Sequence, residues 1–271
     1  MLCTFVRRLT VVAPLACISV FANAQSSNEE LAKATQNPLA SLISVPFQKQ
    51  PTLTSGRWTV RRTLNIQAVM PFSASENWNV ITRTIMPIIW QPEFVPGQGS
   101  KSGLGDIQFN AFFSPKESRG WVWGAGAVAQ LPTHSNARLG NHRWGLGPTA
   151  VALHTEKGSP WVYGALINNI WSITSDTDPK INQMLIQRFL NYNLPGGVYL
   201  TSSPLITANW EAPSDQKWTV PLGGGVGKIF RLGKLPVNGQ LSAYYNVVRP
   251  DNGATWSLRV QLQFLFPKCQ G

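Results

Sequence analysis

Residues 256–266 read WSLRVQLQFLF, with Trp256, Leu258, Val260, Leu262, Phe264 and Phe266 on one face of an extended chain. Ser257, Arg259, Gln261 and Gln263 occupy the other face, and only Leu265 breaks the alternation. A period of two with one apolar and one polar face marks a strand lying between oil and water. In a soluble sandwich the apolar face would turn into a core. In a membrane barrel it would turn to lipid, and the polar face would line a lumen. One strand does not decide between these, so the remainder of the chain must.

Charged residues make up 13% of the 271-residue chain, hydrophobic ones 43%, and there are 11 Trp and 23 Gly. Soluble domains carry about 25% charged residues, so much of this surface does not face ordinary water. No apolar run reaches the roughly 18 residues a membrane helix needs. A membrane protein without such a helix must be a closed barrel, because only closure satisfies every backbone group in lipid.

Residues 1–24 read as a cleavable secretory signal: Arg7 and Arg8 precede an apolar run over 9–21, and Ala22-Asn23-Ala24 forms a small-x-small cleavage site. Cys17 raises a lipoprotein signal as an alternative, but Pro14-Leu15-Ala16 matches that pattern poorly. Cleavage removes Cys3 and Cys17, leaves Cys269 alone, and lowers the formal charge from +11 to +9. An intramolecular disulfide is thereby excluded. Lys and Arg never form a block longer than two, which argues against a nucleic-acid partner.

Residues 25–42 form the helical region, with Ser26, Ser27 or Asn28 as caps before Glu29-Glu30 and Asn37-Pro38 opening a second short helix. A periplasmic arm or lumen plug and a partly ordered terminus are both open readings. From Ile43 the chain becomes extended segments of barrel-strand length, at 43–52, 58–72, 77–90, 104–114, 120–131, 144–154, 160–173, 182–194, 197–210, 217–230, 235–248 and 255–266. The first, containing Pro46 and Pro51, is the weakest. Connections alternate between tight turns at 73–76, 115–119, 156–159, 195–196 and 231–234 and longer polar loops at 91–103, 132–143, 174–181, 211–216 and 249–254. Such alternation marks an up-and-down outer-membrane barrel with its turns in the periplasm. The expectation is an all-β transmembrane antiparallel barrel of about twelve strands over 43–266, followed by a periplasmic tail at 267–271.

Strand faces extend this reading. Trp78 and Trp90 bracket an apolar face whose reverse carries Asn79 and Arg83, and Trp210, Trp256 and Phe266 occupy comparable end positions. These five are the candidate membrane-interface aromatics. Candidate lumen-lining residues are Arg83, Asp106, Gln108, Asn110, Arg188, Tyr199, Tyr244, Arg259 and Gln261. Segments 160–173 and 182–194 switch face partway, which implies a bulge or an apolar surface directed into the lumen. Arg83, Arg188 and Arg259 are flanked by lipid-type residues and are assigned inward, since an arginine facing lipid at the midplane costs about 2–4 kcal/mol. They give either a lumen favouring anions or a polar interior closed by pairing with Asp106 and amides.

Catalytic signals are thin. His134 and His142 fall in a loop, as solvated residues, and His154 near a strand end has no serine in a diagnostic motif with which to form a lipid-hydrolase dyad. Asp176 and Asp178 form a short acidic loop rather than a metal site, and no cofactor is expected. Lys101, Arg138 and Arg143 are loop cations suited either to lipid phosphates or to water.

The segments LAKATQNPLASLISVPFQ, LNIQAVMPFS, WNVITRTIMPII, GLGDIQFNAFFSP, WGLGPTAVAL, WVYGALINNIWS, WTVPLGGGVGKIFRLGK and AYYNVVRPD together resemble a family of Gram-negative outer-membrane proteins associated with phenol degradation through the MetA pathway. The resemblance spans about residues 29–266 and implies an outer-membrane barrel passing small molecules, aromatic or apolar ones among them. Outer-membrane lipid and lipopolysaccharide are its expected neighbours, and the alternative reading is a non-conducting surface or scaffold barrel whose loops bind lipopolysaccharide or a partner. It supplies no catalytic residue. Phe264 and Phe266 resemble the aromatic-ended last strand that barrel-assembly machinery recognises, although residues 267–271 follow here.

Overall fold

A computed structural model describes residues 28–39, 43–54, 60–93, 97–117, 120–173, 180–233, 235–251 and 253–266, with backbone only for 43–54. The proposed signal at 1–24, the acidic pair Asp176 and Asp178, and the tail lie outside the described residues. Among the described residues one α-helix, α1 (Asn28–Gln36), precedes fourteen strand segments. They are β1 (Ile43–Thr54), β2 (Val60–Ser73), β3 (Trp78–Gln91), β4 (Lys101–Leu104), β5 (Ile107–Pro115), β6 (Trp121–Leu131) and β7 (Gly145–Thr155). The second half comprises β8 (Trp161–Ser172), β9 (Asn182–Asn193), β10 (Val198–Ser202), β11 (Leu205–Asn209), β12 (Trp218–Leu232), β13 (Leu235–Val248) and β14 (Ala254–Phe266).

Every pairing is antiparallel, and β14 closes on β1 with Ile43 opposite Phe266, so the sheet is a barrel without a free edge. Two places in the wall are each shared by two segments: β4 and β5 both pair with β3, and β10 and β11 both lie between β9 and β12. The wall is therefore twelve strands around, an even number that leaves both ends of the barrel segment at the short-turn side. Between β4 and β5 the register slips by one residue, from Ile88 opposite Leu104 to Ile85 opposite Gln108. This bulge at Gly105-Asp106 re-aims Asp106. The β10–β11 interruption falls at Ser203-Pro204, where proline has no N–H to give the ladder.

Burial alternates as the decisive stretch requires. Ser257, Arg259 and Gln263 are buried while Trp256, Leu258, Val260, Leu262 and Phe266 are exposed on the outer surface. Leu265, the single apolar residue on the inner face of that strand, packs with Tyr199 and Ile229 against Leu31 and Ala32 of α1. The helix thus sits inside the lumen at the short-turn end.

Segments 160–173 and 182–194 contain no register shift where β8 meets β9. Their mixed faces reflect an apolar lumen surface instead: Val69, Ile81, Phe112, Val151 and Leu166, with Leu185 and Phe189 beside them, surround Leu39. Two wall glycines admit these inner groups. A Cβ on Gly124 would lie 3.1 Å from Leu39 Cδ1, and one on Gly227 only 2.1 Å from Tyr199 Cζ, so the Tyr199 ring needs the bare backbone opposite it.

Candidate functional site

The polar half of the lumen contains two cavities separated by Arg259, which lines both. The inner one, about 130 Å³, lies against the end of α1 and is bordered by Arg83, Gln187, Tyr199, Gln240 and Gln261. The outer one, about 430 Å³, opens toward the long loops between Arg61, Thr207, Tyr244, Asn246 and Ser257. Alternation on β2 places Arg61, Gln67 and Val69 inward, and alternation on β3 does the same for Ile81 and Arg83.

Arg259 is 3% exposed and fixed across the lumen. Its Nη1 donates to the Ser203 carbonyl at 3.0 Å and to Ser203 Oγ at 3.1 Å, and its Cζ lies 5.0 Å from the centre of the Tyr244 ring. Tyr244 is tied to the same residue, its hydroxyl accepting the Ser203 N–H at 3.2 Å. Residues 203–204 leave the ladder here, and the freed N–H and carbonyl of Ser203 become the partners of this latch. Arg83 donates from Nε and Nη2 to Gln67 Oε1 at 3.1 and 2.8 Å. Tyr199 donates to Asn238 Oδ1 at 2.8 Å, and Asn238 passes the chain on to Gln263 Oε1 at 3.2 Å. Gln261 faces the same chamber and donates to Gln263 at 3.3 Å. Arg61, Gln67 and Gln187 also line these cavities and are not among the residues singled out from the sequence, although the alternation Arg61, Thr63, Asn65, Gln67 marks the inner face of β2.

Gln108 and Asn110 face inward on β5, Asn110 being buried. Asp106 departs from its assignment as a lumen wall residue. Because the bulge turns it toward the 132–143 loop, its carboxylate accepts the N–H groups of His134 and Asn141 and the Gln130 amide. Its Oδ1 also lies 2.7 Å from His134 Nδ1. His134 is consequently no solvated loop residue: its side chain is 7% exposed and meets the His142 ring edge-on at 4.7 Å. Arg143, expected at the lipid or water surface, is buried at 2% exposure. Arg138 instead ties two loops, donating to the carbonyls of Gly99 and Gln98 at 3.2 and 2.7 Å, and Lys101 is exposed.

Arg188 is the clear correction among the arginines. Leu185, Gln187 and Phe189 take the inner face of β9 to complete the apolar surface around Leu39, and this phase turns Arg188 outward, opposite Ala165. No hydrogen bond or ion pair forms to it among the described residues. A lipid-facing arginine near mid-wall opposes folding by about 2–4 kcal/mol. Arg188→Leu should therefore raise the unfolding free energy in lipid vesicles by roughly that amount. A urea titration showing no gain would place Arg188 in a polar contact.

Trp78, Trp90, Trp210, Trp256 and Phe266 all stand exposed at strand ends, in two bands at the ends of the outer surface. His154 belongs to the short-turn band, stacked on Tyr163 at 5.1 Å and edge-on to Trp121 at 5.2 Å.

A closed, even-stranded antiparallel barrel with an apolar outer belt, aromatic ends and polar interior groups is an outer-membrane-type β-barrel. The chain belongs to the family described as putative MetA-pathway of phenol degradation, whose model matches residues 52–269. Among solved structures it is similar to an outer membrane channel from Pseudomonas putida F1, at 17% identity and a TM-score of 0.63, over 83% of this chain and 94% of that one. A weaker likeness, 11% identity and a TM-score of 0.42 over 83% and 92% of the two chains, is to outer membrane phospholipase A from Escherichia coli. No curated protein matches the chain.

Proposed function

We propose that this protein is exported through a cleaved signal at 1–24, is inserted by the barrel-assembly machinery, and acts in the outer membrane as a passive channel for small molecules. The observation that carries the reading is the pair of polar cavities placed in series inside a closed barrel, with Arg259 between them. A barrel serving only as a scaffold has no need of lumen cavities lined by amides and arginines. Membership in a family named for phenol degradation supports small aromatic or apolar solutes, and the Pseudomonas putida structure supports the channel role by likeness of fold. Lipopolysaccharide is the lipid expected around the long-loop end.

The test has two parts. The mature chain should fractionate with the outer membrane and shift its gel mobility on boiling. Purified protein should then conduct in planar bilayers and accelerate solute entry into swelling liposomes. A soluble periplasmic product, or an inserted barrel impermeable to every solute class, would sink the reading.

A further inference from the structure

The inner cavity brings two guanidinium groups together without a carboxylate. Arg83 and Arg259 both line it, and among the described residues its lining contains no Asp or Glu. Their recorded partners are neutral: Gln67 Oε1 for Arg83, Ser203 for Arg259. These bonds use Nε and Nη2 of Arg83 and Nη1 of Arg259, whereas a guanidinium has five N–H donors. Arg259 Nε is buried and has no hydrogen-bond partner among the described residues. The opposing negative pole is the C-terminal end of α1, where Ala34 to Gln36 border the cavity. A helix end carries about half an elementary charge, against two full positive charges, so the cavity keeps a net positive field focused by its low-dielectric walls.

The same cavity has an apolar side. Val69, Phe189 and Leu265 line it together with the arginines. Its volume, about 130 Å³, is close to the roughly 150 Å³ of an engineered apolar cavity that accommodates one benzene ring. We propose that the inner cavity is a binding site for a small organic carboxylate with a compact body of about one ring. The carboxylate lies between Arg83 and Arg259 and the body rests on Val69, Phe189 and Leu265. Guanidinium groups suit this ligand because their forked donors match the two carboxylate oxygens. The assignment rests on the channel reading, of which it names the solute class.

Sodium benzoate, benzyl alcohol and benzylamine, three probes of the same ring with different charge, test it by calorimetry on the purified full chain. Benzoate should bind saturably, and benzyl alcohol and benzylammonium should bind at least about tenfold more weakly, as loss of a charge-assisted bond implies. Arg83→Gln and Arg259→Gln should each weaken benzoate by about tenfold or more. Gln67→Glu, which supplies Arg83 with an internal carboxylate, should weaken it too without removing either arginine. Boiling-dependent gel mobility verifies that each variant is a folded barrel. Equal binding of benzyl alcohol, or no saturable benzoate binding by a protein that conducts KCl, overturns the carboxylate site and leaves the channel reading in place. Benzoate binding that depends on both arginines, in a barrel that passes no solute, upholds the site and overturns the channel reading.

Discussion

Deleting residues 28–39 is expected to raise single-channel conductance several-fold while leaving a folded, heat-modifiable barrel. A twelve-stranded barrel lies between the eight-stranded ones that side chains fill and the sixteen-stranded ones that hold open water. Here the helix decides how much of the interior is free. At 1.5 Å per residue, α1 is about 14 Å long, and Leu39 beyond it fills the apolar side of the lumen. Its polar ties are several: Gln36 and Asn193 exchange amide bonds at 2.8 and 3.2 Å, Gly196 N–H donates to Glu29, and Lys33 donates to the Glu156 carbonyl. Each such bond contributes about 0.5–1.5 kcal/mol at most, and the exposed ones less. Burial of a leucine contributes about 1.5–3 kcal/mol, so Leu31 and Leu39 are the stronger anchors. Leu31→Asp combined with Leu39→Asp should release the segment and reproduce the deletion, whereas Gln36→Ala should change conductance little. The barrel survives because its ring of backbone pairing closes between β1 and β14 without the helix. Unchanged conductance in the deletion would move the constriction to the Arg259–Ser203–Tyr244 latch.

The wall was legible in the sequence because lipid imposes one consistent demand on every outward residue. Where the inner surface is polar, as on β14, alternation reports the face directly. On β9 it does not: Leu185 and Phe189 face the lumen while Ile186 and Leu190 face outward, so hydrophobicity carries no phase and Arg188 was assigned to the wrong side. Asp106 was misread for a different reason. Its role depends on a one-residue register slip and on loop groups at 134 and 141, partners set by folding rather than by local pattern. The helix position was hidden likewise, since Leu31 meets Tyr199, Ile229 and Leu265 from the far end of the chain. One trace of it was present. Leu265, the inner-face exception in WSLRVQLQFLF, is apolar because α1 covers it.

That same strand offers the most direct test of which side faces lipid. Arg259 and Val260 are neighbours on opposite faces, 3% and 41% exposed respectively, near the middle of β14. Arginine at 259 is held by Ser203 and the Tyr244 ring, which offset part of what it loses on leaving water. At 260 it would meet hydrocarbon with no partner, at a cost of about 2–4 kcal/mol near the midplane. Val260→Arg should therefore lower the unfolding free energy in lipid vesicles by that amount, with conductance of the folded fraction unchanged because the lumen is untouched. Arg259→Leu should differ in its effect on conductance. It removes the latch between the two cavities, so conductance should rise, while the loss of stability comes from leaving the Ser203 carbonyl and the Tyr244 ring without their cation. In a soluble protein Val260→Arg would place the charge in water and cost almost nothing. A urea titration showing no destabilisation would therefore contradict a lipid-facing surface on this strand, whatever the conductance reads.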